Sequence, residues 1–390
     1  MAKYEYSVSL IYDHSTKSKA LNLEKALITE TQKYVERNIC GYFTSSFKIF
    51  HNQFEKLVEG PKIMIYFGSA NIRKTNIDLL KEAKNAGIFI IPVLDSQQII
   101  NDCIPELLLK INIFFWDRYQ VPEKKLVREI FENLGLEDKN RRIFISYRRD
   151  DGQGMAFQLF DKLSQQKFNI FLDLYDIDVG IDFEERIYES LEDKSFLLVI
   201  ESPKANKSQW ISKEVIYALR HEIPVYVVSW CDRDKEISET FNLPKIKLDI
   251  NNDLVKSKEF YVIKENLVEG IINEIESLHA YGLNQRRNDF LRSIETSYSK
   301  DYHYYNYLQS WVIYFTNSKK SDSDRLITMA LHFPQPEDLY YIDNISKKIK
   351  DFHNDTKKIL FYKAEKLPDF QKEVLEWILN DKKNLFIINQ

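Results

Sequence analysis

Short apolar runs that end abruptly in polar or charged residues recur along the chain, each followed by a stretch of helical periodicity. Tyr6-Ser7-Val8-Ser9-Leu10-Ile11-Tyr12 comes first, closed by the polar residues 13–18 and followed by Leu21, Leu23, Ala26 and Leu27 at helical spacing. Residues 62–69 form a second run, residues 76–86 a helical pattern, and residues 88–94 a third run. The order returns further on: apolar runs at 143–147, 169–172 and 195–202, a helical pattern over 209–220, and a further run at 223–228. Runs of this length bounded by polar turns read as strands, and continuous rather than alternating apolarity places them in a parallel sheet covered on both faces.

The two halves also continue alike. Cys103-Ile104-Pro105 precedes an apolar run at 111–115, and Leu243-Pro244 precedes another at 245–248; each half then closes on an amphipathic helix, over 123–134 and 264–278. The repeat predicts two α/β modules, residues 1–135 and 142–280, separated by a short charged linker.

From Gln285 onward the pattern changes. Tyr304, Tyr305, Tyr307, Leu308, Trp311, Val312 and Phe315 recur at helical spacing, as do Leu326, Ile327, Met329, Ala330 and Leu331, and later Phe370, Val374, Leu375, Trp377, Ile378 and Leu379. They predict a mostly helical domain over residues 285–390, with a short terminal strand at 385–388 and a boundary at Tyr281-Gly282-Leu283-Asn284.

Composition narrows the classes. The 390 residues suffice for two or three domains, and 44% hydrophobic with 29% charged residues is a globular balance. A formal net charge of -4 gives no electrostatic case for nucleic acid or an anionic membrane, so neither is an expected partner. Cys40, Cys103 and Cys231 stand far apart without paired spacing, as in a reducing compartment. The first residues lack the apolar core of a signal peptide, and no run of roughly eighteen apolar residues could cross a membrane. A cytoplasmic location is the expectation. The seven histidines lack metal-ligand spacing, and no glycine-rich phosphate loop occurs, so no metal or cofactor is expected.

Candidate chemistry gathers in the second module. Residues 209–220 read as a helix with Ser208 as its amino-terminal cap and Ile211, Val215, Ala218 and Leu219 on the packed face. Trp210, Glu214 and Tyr217 share another stripe, which sets a carboxylate beside a large aromatic ring. The competing reading is a solvated helix carboxylate paired with Lys213 or Arg220. Tyr147, Arg148 and Arg149 emerge at the carboxyl end of a strand, where parallel sheets bind ligands, or else form an exposed charged turn. Asp173 ends the next strand, where it caps the following element or lines the mouth.

Four features in this order, Phe144-Ile145-Ser146-Tyr147-Arg148-Arg149-Asp150-Asp151, the strand ending in Asp173, the loop Asp178-Val179-Gly180, and Trp210 ahead of Glu214, resemble the bacterial branch of the Toll/interleukin-receptor (TIR) domain family. The resemblance covers about 110 of the 390 residues. It implies a flavodoxin-like parallel sheet, with residues 1–135 as a degenerate tandem copy in which Asp78 stands near the place of Glu214, Lys74 at that of Trp210, and His14 and Ser15 at those of Arg148 and Arg149. Many TIR domains cleave the nicotinamide–ribose bond of NAD+ with a glutamate that Glu214 matches. The resemblance therefore implies NAD+ as substrate, Glu214 as the catalytic residue, and Tyr147, Arg148, Arg149, Asp173 and Trp210 as substrate contacts. It implies self-association through TIR contacts, an activating protein or nucleotide signal, and a role in defence against phage. Two other readings stay open: an adaptor that performs no chemistry, and a sensor whose first module binds a nucleotide.

Overall fold

The computed structural model describes residues 5–36, 46–54, 60–71, 74–137, 141–172, 189–257, 259–298, 304–307, 312–316, 323–330, 332–347, 349, 352–364, 367–380 and 382–389. The first sheet is formed by β1 (Glu5–Ile11), β2 (Ser46–His51), β3 (Lys62–Phe67), β4 (Phe89–Leu94) and β5 (Phe114–Phe115). All are parallel, in the order β2-β1-β3-β4-β5. The run expected at 111–115 shrinks to two residues, because only Phe114 and Phe115 reach β4. The helices are α1 (Lys17–Glu36), α2 (Lys74–Asn85), the short α3 (Ile100–Cys103) and α4 (Pro122–Leu134), whose end is set by Gly135 at a φ of 73°. A left-handed backbone suits glycine there because it has no Cβ to clash.

The second sheet repeats that strand order. It consists of β6 (Arg142–Tyr147), β7 (Asn169–Leu172), β8 (Leu197–Glu201), β9 (Val225–Ser229) and β10 (Lys245–Lys247), all parallel, in the order β7-β6-β8-β9-β10. Both sheets thus place the first strand between the second and the third, so the chain reverses its direction of travel beside that strand. In open α/β sheets ligands bind at this reversal, outside the carboxyl ends of the strands. β6 is buried at every position, as continuous apolarity requires when α5 (Arg149–Gln165) covers one face and α6 (Gln209–Arg220) the other.

A hairpin, β11 (Leu254–Ser257) and β12 (Phe260–Ile263), packs on α5, where Gln158 exchanges two hydrogen bonds with the backbone of Ile263 at 2.7 and 2.8 Å. It leads into α7 (Glu265–Tyr298), a helix of 34 residues that runs straight through the expected boundary at 281–284. Two contacts explain why the chain does not turn there. Gly282 lies against Pro224, whose Cγ would be 1.8 Å from an added Cβ. Asn284 is fully buried, donating to the Leu136 carbonyl at 3.1 Å and accepting from the Tyr6 hydroxyl at 3.3 Å. Glycine and asparagine here serve close packing rather than a turn.

The third region corrects the expectation of a mostly helical domain. Its centre is a sheet of β13 (Tyr304–Tyr307), β14 (Ile313–Thr316), β15 (Arg325–Met329), β16 (Lys357–Tyr362) and β17 (Leu385–Asn389), in that order. β13, β14 and β15 pair antiparallel, whereas β15, β16 and β17 pair parallel. The segments around Tyr304 and Leu326, expected as helices, are strands, while α9 (Asp369–Asn380) and β17 form where expected. One face of this sheet packs with α8 (Pro336–Ser346) and α9; the other packs with Phe290 and Ile294 of α7 in a core shared with β1, α1 and α4. Strands covered on both faces carry no alternation, so short apolar runs in them mimic helical spacing.

Candidate active site

β6 delivers Ser146 and Tyr147 to the carboxyl edge of the second sheet, and α5 begins only two residues later with Arg149. α6 approaches the same edge from one face. Its buried stripe is Ile211, Glu214, Val215 and Ala218. Leu219, expected on that stripe, is exposed, and Tyr217 turns to stack on His221 with ring centroids 4.1 Å apart. Ser208 occupies the cap position of α6, but its side chain makes no capping hydrogen bond.

Glu214 is 5% exposed, which removes the reading of a solvated helix carboxylate. A charge buried to that degree needs donors. Ser146 of β6, buried as well, supplies one: its hydroxyl donates to Glu214 Oε2. Lys213 lies with its Nζ 4.6 Å from the centroid of the Trp210 ring, and Trp210 itself is 38% exposed. Its indole therefore forms a wall rather than core.

Between these elements opens a cavity of about 270 Å³, lined by residues 144–147 of β6, by Arg148 and Arg149, and by Ser208, Trp210, Ile211 and Glu214 at the start of α6. Of the six residues singled out from sequence, Glu214, Tyr147, Arg148, Arg149 and Trp210 line this one cavity. Asp173 and the loop containing Gly180 lie outside the described residues. Arg148 is held at the mouth by Asp150, which accepts from its Nε at 3.1 Å and its Nη2 at 2.8 Å. The Arg148 guanidinium, by hydrogen bond and charge, holds the Asp150 carboxyl below its ordinary value.

Asp151 was passed over as a site residue, although it stands in the quoted motif. Its carboxylate accepts from the Ser202 hydroxyl at 2.6 Å and from the Lys204 backbone N–H at 2.9 Å, tying the first turn of α5 to the loop after β8. The two sides of the sheet's reversal point are thereby fastened together. Ser146 was missed for a different reason: a serine inside an apolar strand carries no signal until the helix that crosses it is placed.

A larger cavity of about 410 Å³ lies between the second sheet and the third region. Its central carboxylate, Asp193, is already occupied by Arg142 at 2.5 Å, Lys194 at 3.2 Å and the Phe333 backbone N–H at 3.3 Å. That arrangement is a joint between parts of the chain.

A family model described as TIR domain matches residues 143–254. This chain carries a TIR domain. No curated protein matches the chain in sequence. Among solved structures, a fatty acid ABC transporter substrate-binding protein from Thermomonospora curvata aligns at 11% identity over 60% of this chain, with a TM-score of 0.18. The chain spans 59% of that protein's length. A "putative phosphosugar isomerase" from Silicibacter pomeroyi DSS-3 aligns at 7% identity over 73% of this chain and 87% of its own, with a TM-score of 0.17. Overlaps so slight carry no argument about fold or function.

The first sheet can be set against the TIR domain by strand register. Ser146 pairs with Val199, and Ser9 pairs with Met64. Both following helices have 12 residues, buried at Asn76, Leu80 and Ala83 in α2 and at Ile211, Val215 and Ala218 in α6. In this register Leu79, not Asp78, holds the place of Glu214, and Thr75, not Lys74, that of Trp210. Asp78 points outward, 3.9 Å from Lys81 with both side chains more than half exposed. The expected stand-ins were thus each displaced by one residue along the helix. Among the described residues no helix is long and apolar enough to cross a membrane, and no group of His, Cys, Asp and Glu side chains is arranged to hold a metal ion.

Proposed function

We propose that the TIR domain hydrolyses NAD+ at the nicotinamide–ribose bond, with Glu214 as the catalytic residue. The observation that carries the reading is a buried carboxylate, hydrogen-bonded by Ser146, in a cavity walled by an exposed indole. The pyridinium of NAD+ is positively charged before reaction, so nicotinamide departs neutral without a general acid. The positive charge then moves to the ribose, where an oxocarbenium-like centre develops. A fixed carboxylate beside that centre stabilises it more than it stabilises the ground state, which is what lowers a barrier.

The remaining residues have roles that fit this chemistry. Trp210 offers a ring face to the pyridinium, whose charge is attracted to aromatic faces. Arg148 and Arg149 stand where the pyrophosphate leaves the cavity, and guanidinium groups bind such oxygens in pairs. The cavity, at about 270 Å³, falls below the roughly 300–1,000 Å³ of sites that enclose a whole drug-sized ligand. It therefore takes the nicotinamide riboside end, and the adenosine end extends across the surface or against a second TIR domain. Tyr147, and Asp173 next to it in the motif order, are the further contacts proposed for the substrate.

The first sheet is, in this reading, a TIR-like sibling that has lost its carboxylate and regulates the second, and the chain as a whole acts in phage defence by lowering NAD+ or releasing a cyclised ADP-ribose. Nicotinamide release from NAD+ by the purified chain tests the proposal, with Glu214→Ala beside it. Turnover lost in the variant supports it. Equal rates in both remove Glu214 from the mechanism, and absence of turnover under every activating condition leaves an adaptor that binds other TIR domains.

A further inference from the structure

We infer that Ser146 is a positioning residue for Glu214, fixing the carboxylate that meets the ribose; the inference rests on the hydrolase reading above. A glutamate has three rotatable side-chain bonds, and its reach is useful only if one rotamer is held. α6 alone does not select that rotamer, since Glu214 belongs to its packed stripe and Trp210 to its open side. The selection comes from the sheet. Ser146 is 2% exposed and sits on β6, which is hydrogen-bonded to β7 on one side and β8 on the other. Its hydroxyl donates to Glu214 Oε2, and both residues line the same cavity. The donor is thus anchored in a buried strand paired on both sides, and the carboxylate is tethered across from helix to strand.

The same hydrogen bond favours the charged form of Glu214. Of the charged side chains on neighbouring elements, Arg148 and Arg149 line the same cavity, Asp151 on α5 is engaged by Ser202 and Lys204, Glu201 at the end of β8 by Ile237 and Thr240, and Lys213 on α6 lies over the Trp210 ring. None of them is altered by changing Ser146. Ser9 occupies the equivalent register of the first sheet, where the matching helix carries Leu79 at the place of Glu214, so a serine here is compatible with the fold without any carboxylate to hold. The test must therefore read Glu214 rather than folding.

In Ser146→Ala, kcat for nicotinamide release falls about tenfold to a hundredfold, the size of effect expected on losing a hydrogen bond to a charged group, while KM changes less than about threefold. The acid limb of the rate profile moves to higher pH, and Ser146→Thr, which keeps the hydroxyl, returns both toward the wild type. Carboxyl-carbon NMR of labelled glutamate follows the Glu214 titration directly, without turnover; its midpoint rises in Ser146→Ala and returns in Ser146→Thr. Should the alanine variant fail to fold, Ser146→Cys, nearly isosteric and a weak donor, takes its place with an intermediate shift. Unchanged kcat and an unchanged midpoint in Ser146→Ala, with Glu214→Gln inactive, overturn the inference and leave the hydrolase reading intact. A wild type silent under every activating condition removes the hydrolase reading, and the titration still decides whether Ser146 holds the carboxylate.

Discussion

The first two sheets of this chain share a strand order and a helix length, and differ at the edge where a ligand would sit. In the first, Asp13 closes the reversal point on itself: its carboxylate accepts from Ser69 at 2.5 Å, from the Ser15 hydroxyl at 2.6 Å and from two backbone N–H groups at 2.8 and 3.1 Å. In the second, Asp151 performs a similar fastening with Ser202, yet it stands on the helix, leaving the arginine turn and Glu214 around an open cavity. The comparison teaches that the scaffold tolerates either a sealed or an open edge. The difference rests on one helical position, Leu79 against Glu214, and on the length of the turn after the first strand.

Copying the first sheet onto the second is the strongest way to break the comparison. Glu214→Leu should lower nicotinamide release by about a hundredfold to a thousandfold, the usual cost of losing one preorganised electrostatic contact. Its melting temperature should hardly move, because replacing a buried charge by an apolar side chain of similar volume is often neutral or stabilising. A collapse of the fold in this variant would mean that the two helices are not interchangeable. Conversely, Leu80→Ala in α2 should cost about 2–5 kcal/mol of stability, read by urea unfolding, since Leu80 is fully buried. Its effect on turnover per folded molecule should be slight.

The two fastenings can be weighed against each other. Ser202→Ala removes one donor from Asp151 and leaves the Lys204 N–H in place, so the loss should be about 1 kcal/mol in chemical denaturation. The smallest expected effect is a change in pH dependence at Asp13. Burial pushes its carboxyl up, but hydrogen bonds from Ser15, Ser69 and Thr16 outweigh burial and hold it below its ordinary value. A depressed carboxyl stabilises the folded state above the unfolded value of 3.8 and loses that contribution as pH falls through the folded value. Thermal melting of Asp13→Asn should therefore show a shallower loss of stability below about pH 4 than the wild type.

Much of this organisation could be read from the chain itself. The span of α6 followed from periodicity, and the gathering of Trp210 and Glu214 at the end of β6 from the family resemblance. Burial of Glu214 did not, because a glutamate's depth depends on the strand it crosses. The third region misled for a related reason. Ile313 faces Ile327, and Ile327 faces Ile359, in a ladder buried on both sides, so neither segment shows the alternation that marks a strand. The aromatic and β-branched character of Tyr304, Tyr305, Ile313, Tyr314 and Phe315 was the overlooked signal. Gly282 and Asn284 misled as punctuation, since their roles lie in contacts with Pro224, Tyr6 and Leu136 rather than in the local backbone.

α7 joins these parts mechanically. Its 34 residues amount to a rod about 50 Å long, at about 1.5 Å per residue. Its first half belongs to the TIR core and its second half to the core shared by the first and third sheets. A tilt of about five degrees at one tip displaces the other by about 4 Å over that length. A grip on the far sheet thus has a lever arm reaching the core of the second sheet, with no flexible hinge needed between them.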